Sequence, residues 1–341
     1  MKFIGDVVLT TPIIRSVRNA FPDAYIAYLG DAQAVSLLEH NSCLNEIIGF
    51  DFARPTLLEQ PRVARLLRQR KFDLAIDFFG NPRSALLIFL SGASVRVGPE
   101  RKGRGRLYTV RVRDDGRPKT AIEFHNQSLR AAGIIPSEVQ TEIVLTDDER
   151  QAGRELLMSA LGVAPGQLKA IIGLHPGATW PAKKWPAEQF GALARALQEK
   201  PGVRVVLTAG PREEDTAFAV QSLASLPLPV LSALPLRSLA AAIAGCDVFV
   251  SNDAAPMHIS AAVGTPTVGL FGPGEETIWF PYGAGSGHVA LRKEVPCHPC
   301  HLDFCNRTGN GFMECMKLLS FSEVFAAVER ALEHHHPTPL V

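Results

Sequence analysis

The stretch Ser-Asn-Asp-Ala-Ala-Pro-Met-His-Ile-Ser-Ala-Ala-Val-Gly-Thr-Pro-Thr-Val-Gly-Leu-Phe-Gly-Pro, residues 251–273, limits the possible folds more than any other part of the chain. An apolar run, Val248-Phe249-Val250, gives way to Asn252 and Asp253, both good helix N-caps. Pro256-Met257-His258 then opens a helical stretch that ends near Gly264. A second apolar run from Pro266 to Phe271 stops at Gly272-Pro273, so the segment reads as strand, helix, strand with a right-handed crossover. Its polar turn therefore lies at the carboxyl end of a strand. There a parallel sheet binds ligands, and a helix N-terminus offers free N–H groups and a partial positive charge to a phosphate. The same residues also fit an ordinary capped turn with a buried His258.

Elsewhere the chain keeps the same α/β rhythm. Ile4-Gly5-Asp6-Val7-Val8-Leu9-Thr10-Thr11-Pro12 sets a lone carboxylate after a glycine and directly before a helix-like stretch that runs to about Ala20. Strands are expected near 25–29, 46–50, 74–78 and 95–98, with helices near 32–39, 62–71 and 84–90 between them. Thr146-Asp147-Asp148-Glu149 caps a helix reaching Leu161, and Gly162 to Lys169 reads as an interdomain linker. The second half continues with strands near 170–174 and 203–208, helices near 187–199 and 214–223, and a final helix near 322–332. With 341 residues, two domains are expected, 1–160 and 161–341.

Composition excludes several function classes. A net charge of +1 argues against bulk nucleic-acid binding. Although 46% of residues are hydrophobic, no uninterrupted apolar run approaches the length of a transmembrane helix, and the first residues lack a signal-peptide pattern. A cytoplasmic protein is expected, peripheral at most to the inner membrane. The tail Glu333-His334-His335-His336-Pro337 reads as a natural disordered end.

A third motif, His175-Pro176-Gly177-Ala178-Thr179-Trp180-Pro181-Ala182-Lys183-Lys184-Trp185-Pro186, stands between the first two. Together, in this order and spacing, the three motifs make the chain resemble glycosyltransferase family 9, the ADP-heptose:lipopolysaccharide heptosyltransferases. The resemblance runs from about Phe3 to about Arg330. It implies the GT-B architecture: two Rossmann-like domains with parallel sheets facing across a cleft, the first binding acceptor and the second the nucleotide-sugar donor, with the last helix packing back toward the first. Members usually carry an apolar first strand before the Gly-Asp turn, whereas here only Met1-Lys2-Phe3-Ile4 precede it. The central strand of the N-terminal sheet is thus expected to be missing, leaving its neighbours as unpaired edges.

Glycosyl transfer from a nucleotide diphosphate needs one base for the acceptor hydroxyl and positive charge for the departing diphosphate. Asp6 is the candidate base, with a helix cap as the rival role. Lys183 is the candidate for the leaving group, with a solvated lysine beside Lys184 as its rival. By resemblance Gly5 and Thr10 accompany Asp6, Thr179 and Lys183 contact the diphosphate, and Asp253 and His258 hold the donor sugar and phosphates. The N–H groups around Ala254 and Ala255 form the anion nest. Family members often have Ser or Thr with Gly at those two positions, so donor preference is open to a shift. Either Glu213 or Glu214 binds a ribose hydroxyl, or both simply start a helix as first-turn acids. Arg83 is read as a ligand for acceptor anions or as a solvated side chain.

The implied activity is inverting, metal-independent transfer of heptose from ADP-L-glycero-D-manno-heptose to the lipopolysaccharide inner core. The alternatives are another nucleotide sugar as donor, a GT-B sugar-nucleotide epimerase or hydrolase, and a non-catalytic sugar-nucleotide binding module. No cofactor is required. Cys297, Cys300, Cys305 and Cys315 crowd together with His298 and His301, a spacing that fits a structural zinc, free thiols or disulfides. The basic stretch Arg101 to Arg106, with Arg111 and Arg113, lacks interleaved aromatics and suits the anionic sugars and phosphates of a lipid core better than nucleic acid, with a merely solvated loop as the rival reading. Gly283 to Gly287 follows no strand directly and has no acidic ribose partner, so it is not a dinucleotide site.

Overall fold

The computed structural model describes residues 1–137, 140–163 and 168–334. It divides into two units, Met1–Thr141 and Glu142–Val341, each with its own sheets and core. This division falls earlier in the chain than the linker expected at 162–169. Part of that linker, like the tail beyond His334, lies outside the described residues.

The first unit begins with two helices, α1 (Ile4–Leu9) and α2 (Thr11–Ala20). The single helix expected to follow Asp6 is therefore broken at Thr10. Asp6 sits inside the first turn of α1 rather than ahead of it. Pro12, which has no N–H to donate, sits in the first turn of α2, where none is needed, and the Thr10 carbonyl takes the N–H groups of Ile13 and Ile14. Then come β1 (Ala27–Asp31), β2 (Glu46–Phe50), α3 (Thr56–Arg70), β3 (Leu74–Ile76), α4 (Pro82–Ser91), β4 (Val95–Pro99), β5 (Val110–Val112) and α5 (Ala121–Ala131). The strands form two parallel sheets, β1-β2 and β3-β4-β5.

Between β1 and β3 runs a slot of about 880 Å³, lined by Tyr28, Leu29 and Gly30 on one side and Leu74, Ala75 and Ile76 on the other. Met1 lies at its end in strand-like pairing: its ammonium donates to the Leu29 carbonyl at 3.1 Å, and its carbonyl accepts from the Asp31 N–H at 2.7 Å. That pattern is a parallel register of Met1 opposite Gly30. Burial lowers the pKa of this ammonium, against the attraction of Asp77, Asp6 and Asp31. The two sheets of the first unit are thus separated by a slot, with Met1 paired to β1 at its end.

The second unit opens with α6 (Asp147–Leu161), started by a Thr146/Glu149 capping box, and continues with β6 (Ala170–His175), α7 (Ala187–Gln198), β7 (Val203–Ala209), α8 (Glu214–Ala224), β8 (Val230–Ser232), α9 (Leu236–Ala244), β9 (Val248–Asn252), α10 (Ala255–Ala262) and β10 (Thr267–Leu270). It closes with α11 (Glu276–Trp279), β11 (Val289–Leu291), α12 (Glu314–Lys317) and α13 (Phe321–His334), the last packing on α7, β9 and β10. The six strands are parallel in the order β11-β10-β9-β6-β7-β8. β6 and β9, the two centre strands, are wholly buried, and apolar apart from their ends, as strands covered by helices on both faces must be. From β6 the chain first winds outward through β7 and β8, then returns to β9 on the other side and winds the opposite way. The loops after β6 and β9 consequently diverge, and the crevice at this reversal is where an open parallel sheet takes its ligand.

Candidate functional site

Both loops at that reversal carry the candidate donor residues. Asn252, last in β9 and fully buried, ties them together: its side-chain oxygen accepts from the Trp185 N–H at 3.0 Å, and its amide donates to the carbonyls of Pro176 at 2.9 Å and Gly177 at 3.2 Å. An amide committed to this staple is not free to cap α10. Asp253 does not cap it either, contrary to the sequence expectation. The N-cap is Ala254, in extended conformation and without a side-chain hydrogen bond, so the helix opens with its first N–H groups uncapped. The Asp253 carboxylate turns to Lys183 instead, Oδ2 to Nζ at 2.6 Å, with Lys183 packed 4.6 Å from the Trp180 ring centroid. This oxygen is buried, so the lysine ammonium is the charge that offsets it.

Neighbouring Lys184 takes a different course. Its ammonium donates to Thr216 Oγ1 on α8 at 3.3 Å, which separates the roles of the two adjacent lysines. Thr179 is exposed at the start of the same loop. His258 lies one turn into α10, buried, with Nδ1 2.7 Å from the Tyr282 hydroxyl. Burial lowers its pKa to about 4, the nearby Asp253 charge acting against this and Lys183 with it, so the imidazole is neutral at physiological pH. Tyr282 sits in a loop far along the chain, and the sequence carried no signal that it would meet His258.

Glu213 and Glu214 part in the same way as the lysines. The Glu213 carboxylate folds into the loop, accepting from the Gly210 N–H at 2.8 Å and lying 3.4 Å from His175 Nε2, whereas Glu214 is the first residue of α8. A side chain at Gly177 would collide with that carboxylate, its Cβ falling 2.3 Å from Glu213 Oε2. His175 is itself buried, with Nδ1 3.0 Å from Thr208 Oγ1. Burial lowers its pKa against the pull of Glu213. His175 was visible in the motif but not as part of this pair, because Glu213 approaches it from a different strand-loop.

In the first unit Asp6 is half-buried, and desolvation raises its carboxyl to about 6, the N-terminal ammonium pulling the other way. Gly5 precedes it in α1. Thr10 is brought into the core rather than to a surface: its hydroxyl donates to the Val7 carbonyl at 2.7 Å and lies 2.7 Å from the Tyr28 hydroxyl. Arg83 donates to Thr56 Oγ1 at 3.1 Å and stacks on Phe50 and Phe52. Asp77, which the sequence did not single out, is buried and satisfied by the Phe79 and Gly80 amides, Ser84 and Tyr108, so it fixes the loop after β3.

Cys297, Cys300, Cys305 and Cys315 are free thiols, and Cys305 Sγ accepts from the Met313 N–H at 3.3 Å. Burial, with smaller contributions from the other three sulfurs, raises the Cys315 thiol to about 11. Among the described residues no three His, Cys, Asp or Glu side chains gather closely enough to hold a metal ion, so the cysteines offer no preformed zinc site.

A six-stranded parallel sheet with an uncapped helix N-terminus and a lysine–aspartate pair at its reversal point defines the class: α/β proteins of the Rossmann-like, GT-B kind. Residues 61–307 match glycosyltransferase family 9 (heptosyltransferase). The chain belongs to that family. It is 28% identical over 296 residues to lipopolysaccharide heptosyltransferase 3 of Escherichia coli, covering 83% of this chain and 84% of that protein. The glycosyltransferase family 9 structure from Veillonella parvula DSM 2008 superposes with a TM-score of 0.82 at 25% identity, covering 97% of this chain and 96% of that one. The fold is also that of E. coli ADP-heptose lps heptosyltransferase II, with a TM-score of 0.75 at 21% identity and coverage of 98% and 97%.

Proposed function

We propose that this glycosyltransferase moves heptose from ADP-heptose to the inner core of lipopolysaccharide, at the cytoplasmic face of the inner membrane and without a metal ion. The observation that carries the reading is the Lys183–Asp253 pair beside the uncapped start of α10. An anionic diphosphate suits the lysine and the helix N-terminus, and Asp253 holds that lysine in place. Glu213, beside Gly177, is positioned for a ribose hydroxyl, whereas Glu214 has only a helix to start.

The acceptor oxygen attacks the anomeric carbon while Asp6 takes its proton. The anomeric carbon–oxygen bond breaks, and ADP leaves with the electron pair as an anion. No general acid is needed for that departure, because Lys183 and the amides of Ala254 and Ala255 neutralise the charge that develops. A carboxyl titrating near 6 suits a base, being ionised at neutral pH yet more basic than an exposed aspartate.

Incubating the purified protein with ADP-heptose, UDP-sugars or GDP-sugars and a heptose-deficient core acceptor tests the proposal. Mass analysis should show one heptose added from ADP-heptose alone. Transfer from a UDP- or GDP-sugar would replace the donor assignment, and free sugar released without acceptor would point to the epimerase or hydrolase chemistry.

A further inference from the structure

Several large apolar side chains of the first unit are exposed together, beside cations. Helix α3 buries Glu59, Val63 and Leu67, one per turn, as its core stripe. Leu57 and Leu58 lie off that stripe in its first turn, 87% and 70% exposed. Two adjacent leucines held in water are unfavourable unless something covers them. Their surroundings are continuous with them. Arg83 bonds Thr56 next to Leu57 and stacks 5.1 Å from the Phe52 ring centroid, and Lys2 Nζ lies 5.6 Å from the centroids of both Phe52 and Phe3. Phe3 and Phe52 are exposed as well.

Charge points to the occupant. From Asp51 to Asp73 the cations Arg54, Arg62, Arg65, Arg68, Arg70 and Lys71 outnumber the acids Asp51, Glu59 and Asp73. Glu59 is buried and paired with Arg62 and Arg54, Arg54 also meets Asp51, and Arg70 meets Glu46, so the excess rests on Arg65, Arg68 and Lys71 together with Lys2 and Arg83. A small apolar knob ringed by excess positive charge is what an interfacial segment presents to anionic lipid, where apolar side chains enter the headgroup boundary and cations meet phosphates. Among the described residues no helix is long and apolar enough to cross a membrane.

We propose that this face docks on an anionic lipid bilayer, with Leu57, Leu58 and Phe52 entering the interface and Lys2 and Arg83 meeting headgroup phosphates. It deepens the reading of a membrane-borne acceptor and rests on it. Co-sedimentation with phosphatidylglycerol/phosphatidylcholine vesicles, without donor or acceptor, tests it. The wild-type chain should bind these vesicles, bind pure phosphatidylcholine weakly, and lose affinity as salt rises. The double variant Leu57→Ser/Leu58→Ser should bind at least about tenfold more weakly, with an unchanged melting temperature because both side chains are exposed. Equal binding by variant and wild type, or no preference for phosphatidylglycerol, overturns the proposal. So does release from vesicles by a soluble sugar phosphate, which would mean the surface reads phosphate rather than a bilayer. Transfer to a deacylated, soluble core acceptor should survive in the variant. Absence of that transfer in the wild type counts against the glycosyltransferase reading alone and leaves the vesicle result intact.

Discussion

Asp6 combines two consequences of one environment. Desolvation lifts its carboxyl to about 6, so activity that needs the ionised base should fall as pH drops through 6. The stability effect runs the other way. Because the folded-state value lies above the ordinary value of 3.8, the folded state binds the proton more tightly, and the buried charge costs stability above pH 6, a cost relieved as pH falls toward 4. Asp6→Asn should therefore lower turnover by about 100-fold or more while ADP affinity holds. At pH 7.5 it should also raise stability by up to about 2 kcal/mol, and leave it unchanged below pH 4. Rates and melts across pH check both, and wild-type turnover in the variant would leave Asp6 with no catalytic part. The two lysines make a parallel contrast. Lys183→Ala strands the buried Asp253 carboxylate and removes the cation facing the diphosphate, so ADP affinity measured by calorimetry should drop about tenfold or more. Lys184→Ala loses only a bond to Thr216 and should leave ADP affinity within about twofold.

At the scale of elements, the strongly patterned pieces were legible. Strand 46–50 was read with its observed bounds, and β9-α10-β10 emerged from apolar runs separated by a polar turn, because period and turn chemistry are local signals. Helices α5 and α9 were not anticipated, and neither were the short strands β5, β8 and β11, since three-residue strands carry no period and owe their existence to a neighbour's edge. The same reason hid the Asn252 staple: a side chain that looks like a cap in sequence was claimed by two carbonyls and an amide of a distant loop. The two sheets of the first unit leave a slot between them, and Met1 sets a register at its end. Met1 pairs opposite Gly30, so residues placed ahead of it would run opposite Leu29, Tyr28 and Ala27 and between two apolar walls. Adding an extended segment such as Met-Val-Ile-Val-Leu ahead of Met1 should therefore raise the melting temperature. The buried ammonium disappears, and both edges gain ladder bonds and apolar cover. A Gly-Ser extension of equal length is the control. Equal melting of the two, or undiminished binding of a hydrophobic dye by the apolar form, would mean that the slot takes no strand.

For the whole molecule, the second unit was easier to read than the first, for a physical reason. The turns at a sheet reversal lie next to strand ends in sequence, whereas contacts in the first unit join side chains that meet only after folding. Asp77, Tyr28 and Phe52 entered their roles that way. The two halves also differ in how completely their cores are made. The second unit has a six-stranded sheet with a continuous core from Ala170 to Ala331, and the first has two small sheets flanking an open slot. Calorimetry should consequently show two thermal transitions, the first unit melting earlier. ADP, which the proposed site binds in the second unit, should move the later transition alone. At about 100 times its Kd the nucleotide stabilises its unit by about 2.7 kcal/mol, which for a unit of this length is a shift of about 5–10 °C. The Lys183→Ala chain at the same nucleotide concentration should show about half that shift or less, with the earlier transition untouched in both. If ADP instead moved only the earlier transition, the nucleotide would belong to the Asp6 unit, and the assignment of the Lys183–Asp253 crevice as the donor site would be wrong.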